Sequence, residues 1–388
     1  MTSTTERVDV TSARAGVARW LSQNVVVVVS TVLAVVSCLV VTPDAAYRHY
    51  FDVRTLVTLF CMLAVVKAMQ EVHVFGVVAA RLVAAFGTRR AVVVTLVWVT
   101  LVGSMLITND MSLIAFLPLA WIVLSSTGNE DLVPYVFILQ TAAANLGGMI
   151  TPFGSPQNLY LYSFYEIPLG TFLGIMVIPF GVSVVAITAM SLVVRNAPMR
   201  THEEPEPLPR GRVACYVALF VLTVLVVLRV LPLWAGIAVP VGLAVTGWRA
   251  LVKVDYGLML TFVMFFIFSG NLSRMPEVHD WLTHLLNGDV LLWSALSSQV
   301  ISNVPTALLF AQFTPHSAQL LTGVNVGGVG TPVASLASLI TLAYFQLHRR
   351  EQTGRFLRLF LVVNLALLAV LTLVSHLAFD LGLVPGVS

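Results

Sequence analysis

Two polar triads interrupt apolar stretches of the chain: Thr108-Asn109-Asp110, and Ser302-Asn303-Val304 followed by Pro305. Downstream of each lies a second unusual run, Asn145-Leu-Gly147-Gly148-Met-Ile-Thr151-Pro152 and Asn325-Val-Gly327-Gly328-Val-Gly-Thr331-Pro332. Glycine relaxes the backbone, and proline removes a donor and collides with the preceding turn, so each Gly-Gly to Thr-Pro run is expected to break a helix. A break inside the bilayer leaves a helix N-terminus whose free N–H groups suit an anion, and unwound carbonyls that suit a cation. The Ser/Thr-Asn pairs add a hydroxyl and an amide. Together these groups offer ligands to both a small anion and a coupling cation. Any one of them could equally be a kinked helix with a satisfied polar residue; it is their duplication that favours a ligand site.

Two charges within apolar segments stand out, because insertion scales put the cost of a charge at a helix centre at about 2.5–3.5 kcal/mol. Asp110 is either a proton- or sodium-binding carboxylate or an acid capping the helix that follows. Its counterpart in the second triad is Val304. Lys67 is a candidate coupling charge that could replace a bound cation or pair with Asp110, or it snorkels to the surface near Glu71.

The elements that position these groups must lie in a membrane. Of 388 residues 58% are hydrophobic and 10% charged, against roughly 25% charged in a soluble domain. Apolar blocks such as 25–41 and 356–377 are long enough to cross about 30 Å of hydrocarbon. The spans read as 23-42, 55-72, 134-164 (interrupted), 171-194, 213-231, 233-250, 256-272, 316-347 (interrupted) and 356-378. The stretches 91-125 and 290-313, split by the two triads, read as re-entrant hairpins, since irregular backbone at membrane depth must be covered by protein or line a cavity. With both hairpins returning to their side of entry, sixteen Lys and Arg fall inside and only Arg48, Arg54, Arg229 and Arg274 outside, which places the N-terminus in the cytoplasm.

The chain also repeats itself. The fifteen residues from Asn145 to Leu159 align without gaps on Asn325 to Leu339 with seven identities, among them the Asn, the Gly-Gly, the Thr-Pro and the Ser. Ile107-Thr108-Asn109 falls opposite Ile301-Ser302-Asn303, Ser112 opposite Thr306, and Asp52 opposite Asp255. The threaded topology runs these copies in opposite directions. The expected fold is therefore an all-α polytopic membrane protein of two inverted-topology repeats, each with a re-entrant helical hairpin and an interrupted transmembrane helix. The segments are a cytoplasmic N-terminal stretch 1-22, a first repeat 23-194, a polar cytoplasmic linker 195-212 with Glu203, Glu204 and Glu206, and a second repeat 213-388.

Other residue patterns exclude rather than suggest. Cys38, Cys61 and Cys215 lie in apolar segments and read as free thiols; His279 and His284 read as a solvated face of helix 275-287. There is no nucleophile elbow, phosphate loop, zinc-ligand spacing or catalytic carboxylate pair, so no enzyme is expected. No basic, aromatic-interleaved patch points to nucleic acid.

Thr108-Asn109-Asp110 with Pro118, Asn145-x-Gly-Gly with Thr151-Pro-x-Gly-x-Pro-x-Asn158, and Ser302-Asn303 with Asn325-x-Gly-Gly-x-Gly-Thr331-Pro332 resemble the motifs of the ion transporter superfamily. The likeness is to its citrate-transporter-like and arsenite-pump-like members, related to divalent anion/sodium symporters, and covers about 50–378. The resemblance implies a scaffold and a transport domain, often in a homodimer. It places substrate and ion binding at Thr108, Asn109, Asp110, Gly147, Gly148, Thr151, Pro152, Ser155 and Asn158. In the second half it places them at Ser302, Asn303, Thr306, Gly327, Gly328, Thr331, Pro332 and Ser335. The dicarboxylate branch resembles Ser-Asn-Thr at both tips; with Asp110 and Val304 here, and no Gly-x-Pro-Pro-Asn ending after Pro332, its sodium sites do not carry over.

The function expected is an ion-coupled secondary active transporter in the inner membrane. It would carry a small anion, a di- or tricarboxylate or an oxyanion, by alternating access. The partners are that anion, a coupling cation (a proton, or sodium at the hairpin tips), the bilayer and a second copy of the chain, with no other metal or cofactor. The alternatives are a cation/proton antiporter or arsenite-type efflux carrier, with Asp110 as exchanging carboxylate, and an ion channel.

Overall fold

The computed structural model describes residues 25–199 and 208–385. The N-terminal segment 1-22 with Arg7, Arg14 and Arg19, and the linker carboxylates Glu203, Glu204 and Glu206, lie outside the described residues. The chain is helical, with nine helical stretches among the described residues long and apolar enough to cross a membrane. Among those residues the extended pairing amounts to an isolated bridge between Thr88 and Pro198. This bridge, with the bonds Arg89 N to Ala197 O and Met199 N to Gly87 O, anchors the first part of the linker.

Two compact units are distinguished. Residues 25–51 and 255–281 form one; residues 52–199, 208–254 and 282–385 form the other. In the smaller unit α1 (Val25–Val40) packs along α11 (Tyr256–Ser273). Asn271 donates to Ser37 Oγ at 3.0 Å and accepts from the Tyr50 hydroxyl at 3.2 Å. Arg274, just past α11, forks onto Asp44 at 2.7 and 3.1 Å.

The larger unit begins with α2 (Val53–Glu71) and a short helix α3 (Val74–Ala84) that the hydropathy reading did not separate. Helices α4 (Arg89–Ile107) and α5 (Asn109–Ser126) follow, then α6 (Val133–Gly147), α7 (Pro156–Phe164) and α8 (Leu169–Leu192). Beyond the linker come α9 (Arg210–Val227) and α10 (Ala238–Val252). The chain enters this unit again within α12 (Pro276–Gly288) and continues as α13 (Val290–Ile301), α14 (Asn303–Phe310), α15 (Ser317–Val326), α16 (Leu336–Arg349) and α17 (Thr353–Asp380).

Local chemistry sets the boundaries. Asp52 caps α2 by accepting from Thr55 N, and Asp289 caps α13 by accepting from Leu292 N. Ser155-Pro156 opens α7 with an N-cap serine and a proline at the first helical position, where its missing N–H costs nothing. Helices α4 and α5 pack against each other and against α6, and α13 and α14 against each other and against α15. The most deeply buried segments are α6 and α15, which carry the Asn-x-Gly-Gly motifs, whereas α8, α9 and α10 turn large apolar side chains outward, as lipid-facing helices do.

Candidate functional site

Both interrupted helices are interrupted where the Gly-Gly and Thr-Pro runs predict. Helix α6 ends at Gly147, residues 148–150 make a single tight turn, Thr151 is extended ahead of Pro152, and α7 restarts at Pro156. Helix α15 ends at Val326 and α16 restarts at Leu336. The first glycine of each pair lets the helix press on the incoming hairpin arm. A Cβ on Gly147 would overlap Leu101 O and Ser104 Oγ, and one on Gly327 would sit 2.8 Å from Ser298 Cβ and 2.9 Å from Ala295 Cα. Leu101 and Ser104 align with Ala295 and Ser298 in the repeat.

Each hairpin turns at a single strained residue. Thr108 has φ 83°, ψ 149° and Ser302 φ 73°, ψ 154°, a region that side chains rarely adopt. The next amide in each copy docks onto its break: Asn109 N donates to Gly154 O and Asn303 N to Ala334 O, both at 3.0 Å. The threonine of each break returns the contact, Thr151 Oγ1 to Met105 O at 2.7 Å and Thr331 Oγ1 to Gln299 O at 2.9 Å. Tip and break are thus one construction, made twice.

Amide side chains then cross from one copy to the other. Asn145 accepts from Asn109 Nδ2 at 3.1 Å and donates to Ser335 Oγ at 3.0 Å, and Ser335 Oγ lies 2.9 Å from Ser338 Oγ. Reciprocally, Asn325 donates to Asn158 Oδ1 at 2.6 Å. Asn158 occupies the position that Ser338 holds in the second copy. All six of these side chains are buried. In a protein interior such a polar chain persists only when its members satisfy one another.

The structure therefore links Asn109 to Ser335 through Asn145, and Asn158 to Asn325, while Asn303 joins the second tip to its own break beside Gly328 and Ser155 heads α7. Thr306 closes its own turn onto Ser302 O at 2.8 Å, and Pro332 and Thr331 are half-buried. Asp110 is buried as the second residue of α5; the capping position belongs to Thr108, whose side chain makes no cap bond. At that position a carboxylate still meets the positive end of the helix. Lys67 is half-buried on α2, and Glu71, one turn on, pairs with Lys253 at 2.8 Å.

Three residues that organise the site are absent from the set expected from sequence. Asn145 and Asn325 head the repeated block and are identical in both copies, a signal that marks them. Gln299 carries no such signal, since Met105 stands opposite it. Its side chain donates to Gly327 O at 2.8 Å and Val329 O at 3.1 Å and accepts from Thr331 N at 2.8 Å.

Several oxygens here are buried without a hydrogen-bond partner: Asn109 Oδ1, Ser155 Oγ and Asn325 Oδ1. Orphaned acceptors of this kind are costly unless a donor or cation meets them. An all-oxygen set suits a hard cation such as sodium. Among the described residues no cluster of His, Cys, Asp and Glu could hold a metal ion, and the cysteines are free.

Comparison with known proteins accords with this construction. Residues 16–324 match the family model described as citrate transporter. An uncharacterised transporter of Methanocaldococcus jannaschii is 30% identical over 311 residues, covering 80% of this chain and 85% of that protein. The inner membrane protein YbiR of Escherichia coli is 29% identical over 298 residues, covering 75% and 79%. The crystal structure of the Alcanivorax borkumensis YdaH transporter, described as having an unusual topology, superposes with a TM-score of 0.50 at 14% identity over 88% of this chain and 89% of that one, so the fold is shared. The chain is an integral, multi-pass membrane transporter and belongs to the citrate transporter family.

Proposed function

We propose that the protein is an ion-coupled secondary transporter of a small anion, a di- or tricarboxylate or an oxyanion, working by alternating access in the inner membrane with its N-terminus in the cytoplasm. The observation that carries this reading is the reciprocal crossing of amides, Asn145 onto Ser335 and Asn325 onto Asn158, at two broken helices each docked on its own hairpin tip. Such a crossing is what two inverted copies meeting at a common site produce. The N-termini of α7 and α16, headed by Ser155 and Ser335, supply N–H groups for the anion. Asn109 Oδ1, Asn325 Oδ1 and the break carbonyls supply oxygens for sodium. In this reading the hairpins are re-entrant, they move with α6, α7, α15 and α16 against the scaffold helices, and the protein works as a homodimer.

Asp110 favours a second reading within transport. A buried carboxylate at one tip only, with Val304 at the other, is the arrangement a cation/proton antiporter or an arsenite-type efflux carrier would use.

One experiment separates them. Proteoliposomes are given a panel of labelled citrate, succinate, phosphate and arsenite under separately imposed sodium and pH gradients, with Asn303→Ala and Asp110→Asn alongside the wild type. Gradient-driven uptake of one anion, lost in Asn303→Ala, supports the leading reading and names the coupling ion. Proton movement driven by sodium or arsenite, lost in Asp110→Asn and without anion uptake, replaces it with the second.

A further inference from the structure

The ends of α2, α9 and α10 enclose a cavity of about 650 Å³ remote in sequence from the tips and breaks. Its wall carries Arg212, Arg249 and Lys253, with His73 beside them, against a single carboxylate, Glu71. Glu71 is engaged by Lys253 at 2.8 Å, so two of the three fixed cations remain uncompensated within the cavity. The positive-inside count assigns all three to the cytoplasmic side.

The cavity owes its shape to a local failure of helix. Gly247 leaves helical geometry at φ −170°, ψ 55°, which frees the Thr246 carbonyl. Three donors converge on it: Arg212 Nη2 at 2.9 Å, Arg212 Nε at 3.3 Å and the Tyr216 hydroxyl at 3.0 Å. The kink fixes the Arg212 guanidinium at the cavity wall, which Trp248 and Arg249 also line. On the same helix Val241 and Val245 ahead of the kink, and Trp248 and Val252 beyond it, are 60, 85, 60 and 64% exposed and leave an apolar stripe. An exposed apolar stripe beside three cations offers an acyl chain's surface next to a phosphate's.

We infer that this cavity is a binding site for an anionic phospholipid, with the headgroup phosphodiester held by Arg249, Lys253 and the outer edge of Arg212, and an acyl chain lying on the α10 stripe. The inference does not depend on the substrate carried. Charge complementarity selects an anionic over a zwitterionic headgroup, and the stripe selects a lipid over a soluble phosphate.

The test is native mass spectrometry of the full chain released from nanodiscs of equal parts phosphatidylglycerol and phosphatidylcholine. Wild type should retain phosphatidylglycerol preferentially, and Arg249→Gln/Lys253→Gln should retain about thirtyfold less of it, two cations being removed. The charge-keeping pair Arg249→Lys/Lys253→Arg should retain it, as should Arg358→Gln, a basic residue on α17. If the double variant fails to fold, Arg249→Gln alone, at a position with no ion-pair partner among the described residues, reads out the same loss. Equal retention of the two lipids by wild type overturns the inference. So does displacement of phosphatidylglycerol by millimolar inorganic phosphate, which would make this a soluble-oxyanion site. Loss of a dimer in the variant with lipid retention unchanged also overturns it, by giving the stripe to a second copy.

Discussion

The two helix breaks share a skeleton and differ in how they are tied and covered. At the first, Asn158, fully buried, reaches back from α7 and holds Gly148 O, Met149 O and Thr151 O at 3.1, 3.2 and 3.1 Å, two N–H groups shared among three carbonyls. At the second, that position is Ser338, and the tie comes from the half-buried Gln299 on the hairpin arm. The first break is also capped with hydrocarbon. Phe153 meets Phe220 edge-on at 6.4 Å, within a cluster built on Met62, Val66 and Ile107. Its counterpart Val333 is 47% exposed. Duplication has preserved what the backbone needs, a glycine against the arm, a strained turn and a carbonyl for the tip amide. Side-chain chemistry has been free to diverge, and the buried carboxyl group of Asp110 sits on one side only. The two halves are therefore equivalent as scaffolds and unequal in the polar groups they present.

The comparison breaks most visibly if each tie is replaced by the other copy's residue. Asn158→Ser removes both shared N–H groups and the acceptor of Asn325, in a place water does not reach. With several buried polar groups unsatisfied, a loss of about 3 kcal/mol or more is expected. Gln299→Met should cost about half as much, because its site is only partly buried. Thermal unfolding in detergent, measured for both, checks the order; equal losses would mean that burial does not distinguish the breaks. The first glycines should follow the same order with a smaller effect. Both substitutions drive a methyl towards a backbone carbonyl, but Gly147→Ala overlaps Leu101 O more deeply than Gly327→Ala, which meets Gly323 O, Ser298 Cβ and Ala295 Cα at 2.8–2.9 Å. Overpacking of about 1–3 kcal/mol is expected, with Gly147→Ala at the upper end.

Much of this skeleton was legible in the residues. Polar triads inside apolar runs located both hairpin turns, and Gly-Gly with Thr-Pro located both breaks, because these residue types act on the backbone within a few positions. What sequence concealed acts at a distance or through the main chain. The Asn145 to Ser335 contact joins residues 190 positions apart, and Gln299 serves the second break only because the hairpin arm lies beside it. Helix α3 is 11 residues long, too short to announce itself as a span, and the linker's anchor at Gly87–Arg89 consists of backbone bonds that any side chains would permit.

The strained turns sharpen the comparison from the opposite direction, since relieving them should stabilise. A non-glycine residue at φ near +80° with extended ψ carries about 1–3 kcal/mol of strain, of which the extra freedom of an unfolded glycine takes back roughly 0.5–1. Thr108→Gly loses no cap bond and should gain about 1 kcal/mol in unfolding. Ser302→Gly should gain less, because Ser302 Oγ donates to Ala334 O at 3.3 Å. If the strain holds the tips in register with the breaks, transport falls in both variants while stability rises. A variant that gained stability and kept full transport would show the turn to be incidental.

The smallest effect concerns the helices that open the two copies. Helix α2 ends near Glu71, paired to Lys253, and α11 near Arg274, paired to Asp44; the aligned positions carry opposite charge and each is tied within its own unit. The Arg274 hydrogen bond holds the Asp44 carboxyl below its ordinary range. A carboxyl whose pKa is lower in the folded state contributes stability above its unfolded value, near 3.9, and loses that contribution as pH falls through the folded value. Both partners are well exposed, so salt should screen the pair. Arg274→Gln is expected to be slightly less stable than wild type at pH 7 and low salt, to converge with it below about pH 4 as the carboxyl protonates, and so to show a flatter acid limb. The same acid limb in Arg274→Gln and wild type would show that the pair does not form in the membrane-embedded protein.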